Sequence, residues 1–527
     1  MRNVRAGRAM YSCIMLIGIL WGCQQPIQSP GKKLAIQHCQ SCHLLPAPNE
    51  LNQQTWQREV LPNMAAKLGL QNGKWNEIQS LKEMHLFPDT VNISREEWMD
   101  IVAYFTKASP PFPLQSKQIL PVGQASPTFM AETPAIPPTP PYITMLHHDE
   151  ASQTLFYGNA TTNSLTALSL ETQATSEIIL KGAPSFLHKS QEGLYALTME
   201  EVMPHNRKNG TLTFIPQQDE VLGEAEVLLD DLARPVHAAV NDLDGDGKED
   251  MVICSFGNYT GELAWYSDIA SPNRQKHVLT SLPGAIKSVV DDVNQDGLPD
   301  VLALIAQGDE GLHLYLNQGN GTFKEKVLMR FPATYGSTYF EWKDLDGDGL
   351  KDILYVNGDN GDYFPIVKRF HGIRLFSNKG DLKFEESLFL EQHGIFKVIS
   401  EDFDQDNDLD LAAISYFPDY QKRPEESFVY YENKGDLNFK ASTFERIPSG
   451  KWLVMDAGDL DGDGDMDLVL GSALFMSLDA PREMRGDWGR ESTPILFLKN
   501  TTIRNENFVL WKGEDDEGIH AEHTFMP

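Results

Sequence analysis

Five cysteines in 527 residues (Cys13, Cys23, Cys39, Cys42 and Cys254) are too few for a disulfide framework, which excludes the small disulfide-stapled folds. Basic residues are also short: 44 Lys and Arg against 75 Asp and Glu leave a formal charge of −31. That balance argues against nucleic acid and against a polybasic membrane contact. There is no G-x-S-x-G elbow, no H-E-x-x-H, no Walker loop and no G-x-G-x-x-G after a strand, so none of the chemistries those motifs carry is announced. A leader-like apolar run spans Met10 to Leu20, after Arg2, Arg5 and Arg8. It has the plan of a secretion signal (residues 1–23), not of a membrane span.

What the chain has in excess is aspartate in one fixed arrangement. Asp242, Asp244, Asp246 and Asp250 stand at positions 1, 3, 5 and 9 of a loop, with Gly247 at position 6 and the carbonyl of Lys248 at position 7. Four carboxylates so close require a cation, and oxygens in this order suit Ca²⁺. The pattern returns four times, at intervals of 50 to 58 residues. The ligand positions are Asp292, Asn294, Asp296, Leu298 and Asp300; Asp344, Asp346, Asp348, Leu350 and Asp352; Asp402, Asp404, Asp406, Asp408 and Asp410; and Asp459, Asp461, Asp463, Asp465 and Asp467. About five Ca²⁺ are therefore expected. Asn407 replaces glycine at position 6, where a left-handed residue is needed.

An EF-hand is excluded, because position 12 is Ile253, Ala303, Tyr355, Ala413 or Leu470 and never Glu. The flanks, such as Val236 to Val240 and Met251 to Cys254, read as short strands joined by the loop. A second signature follows in three units: Leu314 to Phe323, Leu375 to Phe384 and Tyr430 to Phe439 each read as strand, Asn-x-Gly turn and strand. Four strands per unit and a period near 50 indicate propeller blades.

On these motifs the chain resembles the FG-GAP/VCBS repeat family, calcium-loop β-propellers similar in plan to the integrin α-subunit head. The resemblance covers residues 142–512. Five units carry the loop and Tyr142 to Leu232 has the length of two more, so seven four-stranded blades are expected. The repeats lack the tryptophan motif of quinoprotein dehydrogenase propellers.

Leu20-Trp21-Gly22-Cys23 resembles a bacterial lipobox, although Trp21 is bulkier than the usual residue there. The resemblance implies a lipid-modified Cys23, membrane attachment through acyl chains, and a place at the periplasmic face of the outer membrane or the cell surface. Cys254 falls in a blade strand and reads as a small buried residue.

Cys39-Gln-Ser-Cys42-His43 is the C-x-x-C-H attachment sequence of c-type haem: two thioethers and a proximal imidazole. No matching pair of further ligands follows for zinc, and a redox dithiol does not require the histidine. Residues 31–109 resemble a small all-α class I cytochrome c domain. Gly31 to His38 suits its leading helix, and Ser94-Arg-Glu-Glu97 is a capping box opening a helix whose apolar face is Trp98, Ile101, Val102 and Phe105. Met64 is the first choice for sixth ligand, in a stretch resembling W-x-x-x-V-x-x-x-M, with Met84 or His85 as the alternatives.

Residues 110–141 are proline-rich and read as a linker, and residues 513–527 as an acidic tail. The fold expected is thus multidomain, a small all-α domain followed by an all-β propeller. Calcium loops join strands 1 and 2 of each blade, so strand-2-to-strand-3 loops lie on the opposite face. His237, Lys287, Tyr339 and Lys397 stand five residues before four of the calcium loops and are expected to ring the channel mouth on that opposite face. With Asp359, Asp362 and His371 they suit an anionic or hydroxylated ligand. Three functions stay open: an anchored electron-transfer protein whose propeller docks a redox partner or small ligand; an oxidoreductase with its substrate at the channel mouth; and an adhesion or carbohydrate-recognition module with an accessory haem.

Overall fold

Six-residue apolar strands opening on aspartate, such as Asp250–Ser255, Asp300–Ile305 and Asp410–Ser415, are buried along their whole length. Such a strand needs protein on both faces, and stacked sheets supply it. The computed structural model describes residues 29–503 apart from 71–86, 89, 115–121, 124–125, 127, 219–220, 362–365, 445–448 and 476. The leader with Cys23, as well as Met84, His85, Asp362 and the 513–527 tail, lies outside the described residues.

Seven antiparallel sheets form the expected seven blades: 143–179, 183–232, 235–280, 285–330, 337–391, 395–442, and 452–500 completed by Phe129–Glu132. Innermost strands touch their neighbours in cyclic order, and that of blade 1 touches that of blade 7, so the ring is closed. The core lies between blades. Val252, Cys254 and Trp265 of blade 3, for instance, pack on Val301, Ala303 and Tyr315 of blade 4. Cys254 is fully buried, as its strand position suggests, and its thiol donates to Ser288 Oγ at 3.3 Å.

The proline-rich stretch is not only a linker. Phe129–Glu132 is the outermost strand of blade 7, with Phe129 opposite Asn500 and Glu132 opposite Phe497. Phe129 is buried and lies 5.4 Å from Phe403 and 5.2 Å from Tyr430 in blade 6, so one side chain ties the two blades. The reason is arithmetic. After Ile495–Asn500 the described chain has no fourth strand for blade 7, and the exposed edge is covered by an earlier segment.

Ahead of the propeller lies a small helical unit. Helix α1 (Pro30–Cys39) packs against α3 (Arg95–Ala108) so closely that a side chain on Gly31 would meet the carbonyl oxygen of Asp100. The capping box forms as expected: Ser94 Oγ accepts from Glu97 N–H at 3.2 Å and Glu97 accepts from Ser94 N–H at 2.9 Å. Between these helices a π turn, Trp56–Val60, leads into α2 (Leu61–Lys67). Trp56, Leu61, Trp98, Ile101 and Phe105 make a core of their own.

Candidate functional site

Each aspartate loop is wound around its first carboxylate. In blade 3, Asp242 accepts the backbone N–H groups of Gly245, Asp246 and Gly247 at 2.8, 3.1 and 2.9 Å. Asp459 does the same for Gly462, Asp463 and Gly464 at 2.7, 3.0 and 3.0 Å. Position 6 is left-handed in every loop, with φ of +83° at Gly247 and +72° at Asn407. Nothing crowds Gly247 within 4 Å, so backbone conformation, not space, selects the residue there.

The ninth residue has a different job from the first. Asp250, Asp300, Asp352, Asp410 and Asp467 are all buried and open the second strand of their blades. One oxygen of Asp300 accepts Asn294 N–H and the other accepts Asn317 N–H at 2.8 Å, so it bolts the loop to the end of strand 3. Asp352, Asp410 and Asp467 are bound in the same way by Asn378, Asn433 and Asn500. The Asn side chains reach further. Asn317 Nδ2 donates to Leu243 O in the loop of blade 3, and Asn500 Nδ2 to Phe403 O in the loop of blade 6. Asn317 and Asn500 thus fasten the aspartate loops of blades 3 and 6 to the next blade, whereas Asn378 and Asn433 donate to Lys351 O and Leu409 O of their own blades.

Carboxylate oxygens converge within 4.8 Å in four loops: Asp242, Asp244 and Asp246; Asp344, Asp346 and Asp348; Asp402, Asp404 and Asp406; and Asp459, Asp461 and Asp467. In blade 4, Asn294 instead donates its amide to Asp296 at 2.9 Å. Buried oxygens of Asp404, Asp408, Asp461 and Asp465 have no hydrogen-bond donor. Burial, with neighbouring carboxylates adding to it, raises the acids: Asp465 to about 6 and Asp410 and Asp467 to about 7. Crowded, orphaned acceptors of this kind are what a hard cation satisfies.

The channel differs from its expected form. His237, Lys287, Tyr339 and Lys397 do lie on innermost strands, but below the mouth. Each innermost strand carries a bulge at its start, between Pro235 and His237, Ala285 and Lys287, Ser337 and Tyr339, and Ile395 and Lys397. The extra residue turns toward the mouth. There Val236, Phe396 and Leu453 pack with Tyr142 and Phe475, whose rings stack at 5.0 Å, and form an apolar cap. Beneath it Lys287 Nζ sits 3.5 Å from the Tyr339 ring and Lys397 Nζ donates to Met455 O at 2.7 Å. Burial, opposed by Glu341, brings Lys287 down to about 7, and burial drives His237 well below its usual value.

His371 lies apart from this group, whereas Asp359 stands near enough to Arg234 of blade 3, itself beside Tyr142 of the cap, for their charges to interact. His371 is buried in blade 5, where Nδ1 accepts Gly394 N–H at 3.4 Å, and burial together with Lys368 keeps it neutral. A neutral, enclosed imidazole cannot receive an anion at the mouth. Asp359 accepts Gly361 N–H at 3.0 Å and shapes its own turn. The long segment from Asp479 to Glu491 folds back as helix α4 (Arg482–Glu491), with Trp488 on Tyr420.

The face expected to receive a partner instead carries the helical unit of the same chain. Glu50 accepts from Thr334 Oγ1 between blades 4 and 5, and Ile366 of blade 5 packs on the helical core. Tyr259 of blade 3 meets Phe87 at 5.7 Å and Lys67 at 3.7 Å. The Tyr259 loop is held by Asn206 of blade 2, which accepts Tyr259 N–H at 2.8 Å.

Cys39 ends α1, and Cys42 and His43 follow in the next turn. All three keep accessible surface, and Cys42 is exposed. His43 Nδ1 lies 2.9 Å from Leu44 O, which leaves Nε2 as the free nitrogen. Burial, with Cys42 beside it, pushes the Cys39 thiol up to about 11, opposite to the shift that makes a reactive dithiol. Met64 packs on the same core as Cys39. Among the described residues no further His, Cys, Asp or Glu completes a metal-binding group with these cysteines.

Fold and loops together define a seven-bladed β-propeller with FG-GAP-like repeats. A family model described as an FG-GAP-like repeat matches residues 292–355 and 402–470. Solved structures similar to this chain include a luciferin-regenerating enzyme, at 11% identity over 55% of this chain and 88% of that one, with a TM-score of 0.35. Regucalcin, a calcium-binding protein from Agrobacterium tumefaciens, is 12% identical over 58% of this chain and 94% of its own, with a TM-score of 0.36. The Cps50 (Swd1) β-propeller domain of Myceliophteria thermophila is 11% identical over 70% and 98%, with a TM-score of 0.44.

Proposed function

We propose that this chain is an exported, membrane-anchored c-type cytochrome fused to a calcium-binding propeller, and that it transfers electrons. The observation that carries the reading is the arrangement at the end of α1. Two thiols free of disulfides stand one turn apart beside an imidazole whose Nδ1 is turned to the Leu44 carbonyl and whose Nε2 is left for iron. Cys39 and Cys42 would hold haem by thioether bonds, and Met64, packed on the same core as Cys39, is the proposed sixth ligand. Haem supplies the one-electron couple. The chain supplies a proximal nitrogen, an apolar wall from Trp56, Ile101 and Phe105, and a fixed seat on the propeller. The propeller's role is that of scaffold and calcium site, with its uncovered calcium-loop face as the surface for a redox partner.

The test is an optical spectrum of the full chain produced in a host that matures c-type cytochromes. A covalent haem absorbance that survives denaturation, and is lost in His43→Ala and in the Cys39→Ala/Cys42→Ala double variant, is expected. A wild-type protein without covalent haem refutes the reading. Adding sugars, alcohols and sulfur compounds without other reductant then separates an electron carrier, reduced only by dithionite or a protein donor, from an oxidoreductase reduced by its own substrate.

A further inference from the structure

Lys67 closes α2 one turn after Met64, so the two side chains leave the same face of the helix. Met64 and Cys39 pack on the same helical core, and Lys67 stands near enough to Cys42 for their charges to interact. The helix therefore brings an ammonium close to the second cysteine of the motif.

That ammonium is held by aromatic rings from two parts of the molecule. It lies 4.7 Å from the ring centre of Phe87 and 3.7 Å from that of Tyr259, which belongs to the propeller. Lys67 is exposed, and the protein on one side of it brings the ammonium down to about 8. Among the described residues no carboxylate offsets the charge: apart from desolvation, only Cys42 acts on it. A cation held by these two rings beside a C-x-x-C-H motif offers a partner to haem, which carries two carboxylates.

We propose that Lys67 is the counter-ion of a haem carboxylate and that Tyr259 holds it in place, so that the propeller forms one wall of the haem site and sets the haem's potential. This rests on the haem reading above. Removing a positive charge next to haem favours the ferric form, so the midpoint potential falls. Lys67 and Tyr259 act through the haem's surroundings and are positioning residues.

The experiment is a spectroelectrochemical titration of the full chain as wild type, Lys67→Met, Lys67→Arg, Tyr259→Ala and Tyr259→Phe, each checked for wild-type melting. A lower potential is expected for Lys67→Met, a smaller shift in the same direction for Tyr259→Ala, and potentials close to wild type for Lys67→Arg and Tyr259→Phe. Haem present with the Lys67→Met potential unmoved overturns this inference and leaves the cytochrome reading standing. If Tyr259→Ala fails to fold, Lys67→Met alone decides the role of the charge, and equal potentials for Tyr259→Phe and wild type are then required of the ring. No covalent haem in the wild type overturns both.

Discussion

Closure of the ring by Phe129–Glu132 can be tested with one pair of substitutions. Phe129 and Met130 are neighbours on the same short strand, but Phe129 is 6% exposed and Met130 is 46% exposed. Phe129 fills the seam between blades 6 and 7 against Phe403, Tyr430 and Leu496. Truncating a buried Phe to Ala costs about 3–5 kcal/mol. With an unfolding entropy of about 2.1 cal/mol/K per residue, a cooperative body of about 370 residues loses about 1.3 °C per kcal/mol. Phe129→Ala should therefore lower the melting temperature by about 4–6 °C, and Met130→Ala by less than about 1 °C. Calorimetry gives both values, and hydrogen exchange should show the loss of protection concentrated in Ile495–Asn500 and Trp452–Gly458, the partners of the closing blade. Equal effects from the two variants, or protection lost evenly around the ring, would refute the clasp.

Chelation should lower the melting temperature and added Ca²⁺ restore it, each occupied site contributing about 2.7 kcal/mol at a hundredfold excess over its dissociation constant; a melting curve indifferent to chelator contradicts cation binding. Asn500→Ala strips one donor each from the buried carbonyl of Phe403 and the partly buried carbonyl of Met466 and should cost about 2–4 kcal/mol by denaturant unfolding, whereas a cost under about 1 kcal/mol would show that the Asn tether is dispensable. Glu310 is fully enclosed, and burial raises its carboxyl to about 8 despite two hydrogen bonds from Ser337. The folded state thus holds a proton that the unfolded chain releases near 4.5, so stability falls as pH rises from about 4.5 to about 8, by at most about 1.4 kcal/mol per unit. Glu310→Gln should flatten that part of the profile, and an unchanged slope assigns it to other groups.

The repeated parts of the molecule were legible because repetition multiplies weak signals. One Asp-x-Asp-x-Asp-Gly loop is a turn, whereas five in register with Asn-x-Gly turns behind them fix blade, strand order and face. The α3 capping box was equally local and was read to the residue. What was missed depends on contacts between distant segments. Phe129-Met-Ala-Glu132 is a four-residue strand among prolines, and only the lack of a partner beyond Asn500 marks it. The bulge that sends Val236 and Phe396 to the mouth and leaves His237 and Lys397 beneath shifts the ring by one residue, a change no period-two pattern displays. Nor does composition tell that Tyr259 and Ile366 face a domain encoded far earlier in the chain.

The closing strand also decides where load is carried. After the helical unit the chain first bridges Ser442 of blade 6 at Gly123, then forms the closing strand, and its next connection runs to Tyr142 in the cap. A pull on the N-terminal end that frees the helical unit from Thr334, Ile366 and Tyr259 is transmitted next to the Gly123 bridge on blade 6 and then to Phe129, in a seam joined by segments far apart in sequence. Closure is thus an early point of yielding under such a pull, and the Asn317 tether between blades 3 and 4 lies away from it.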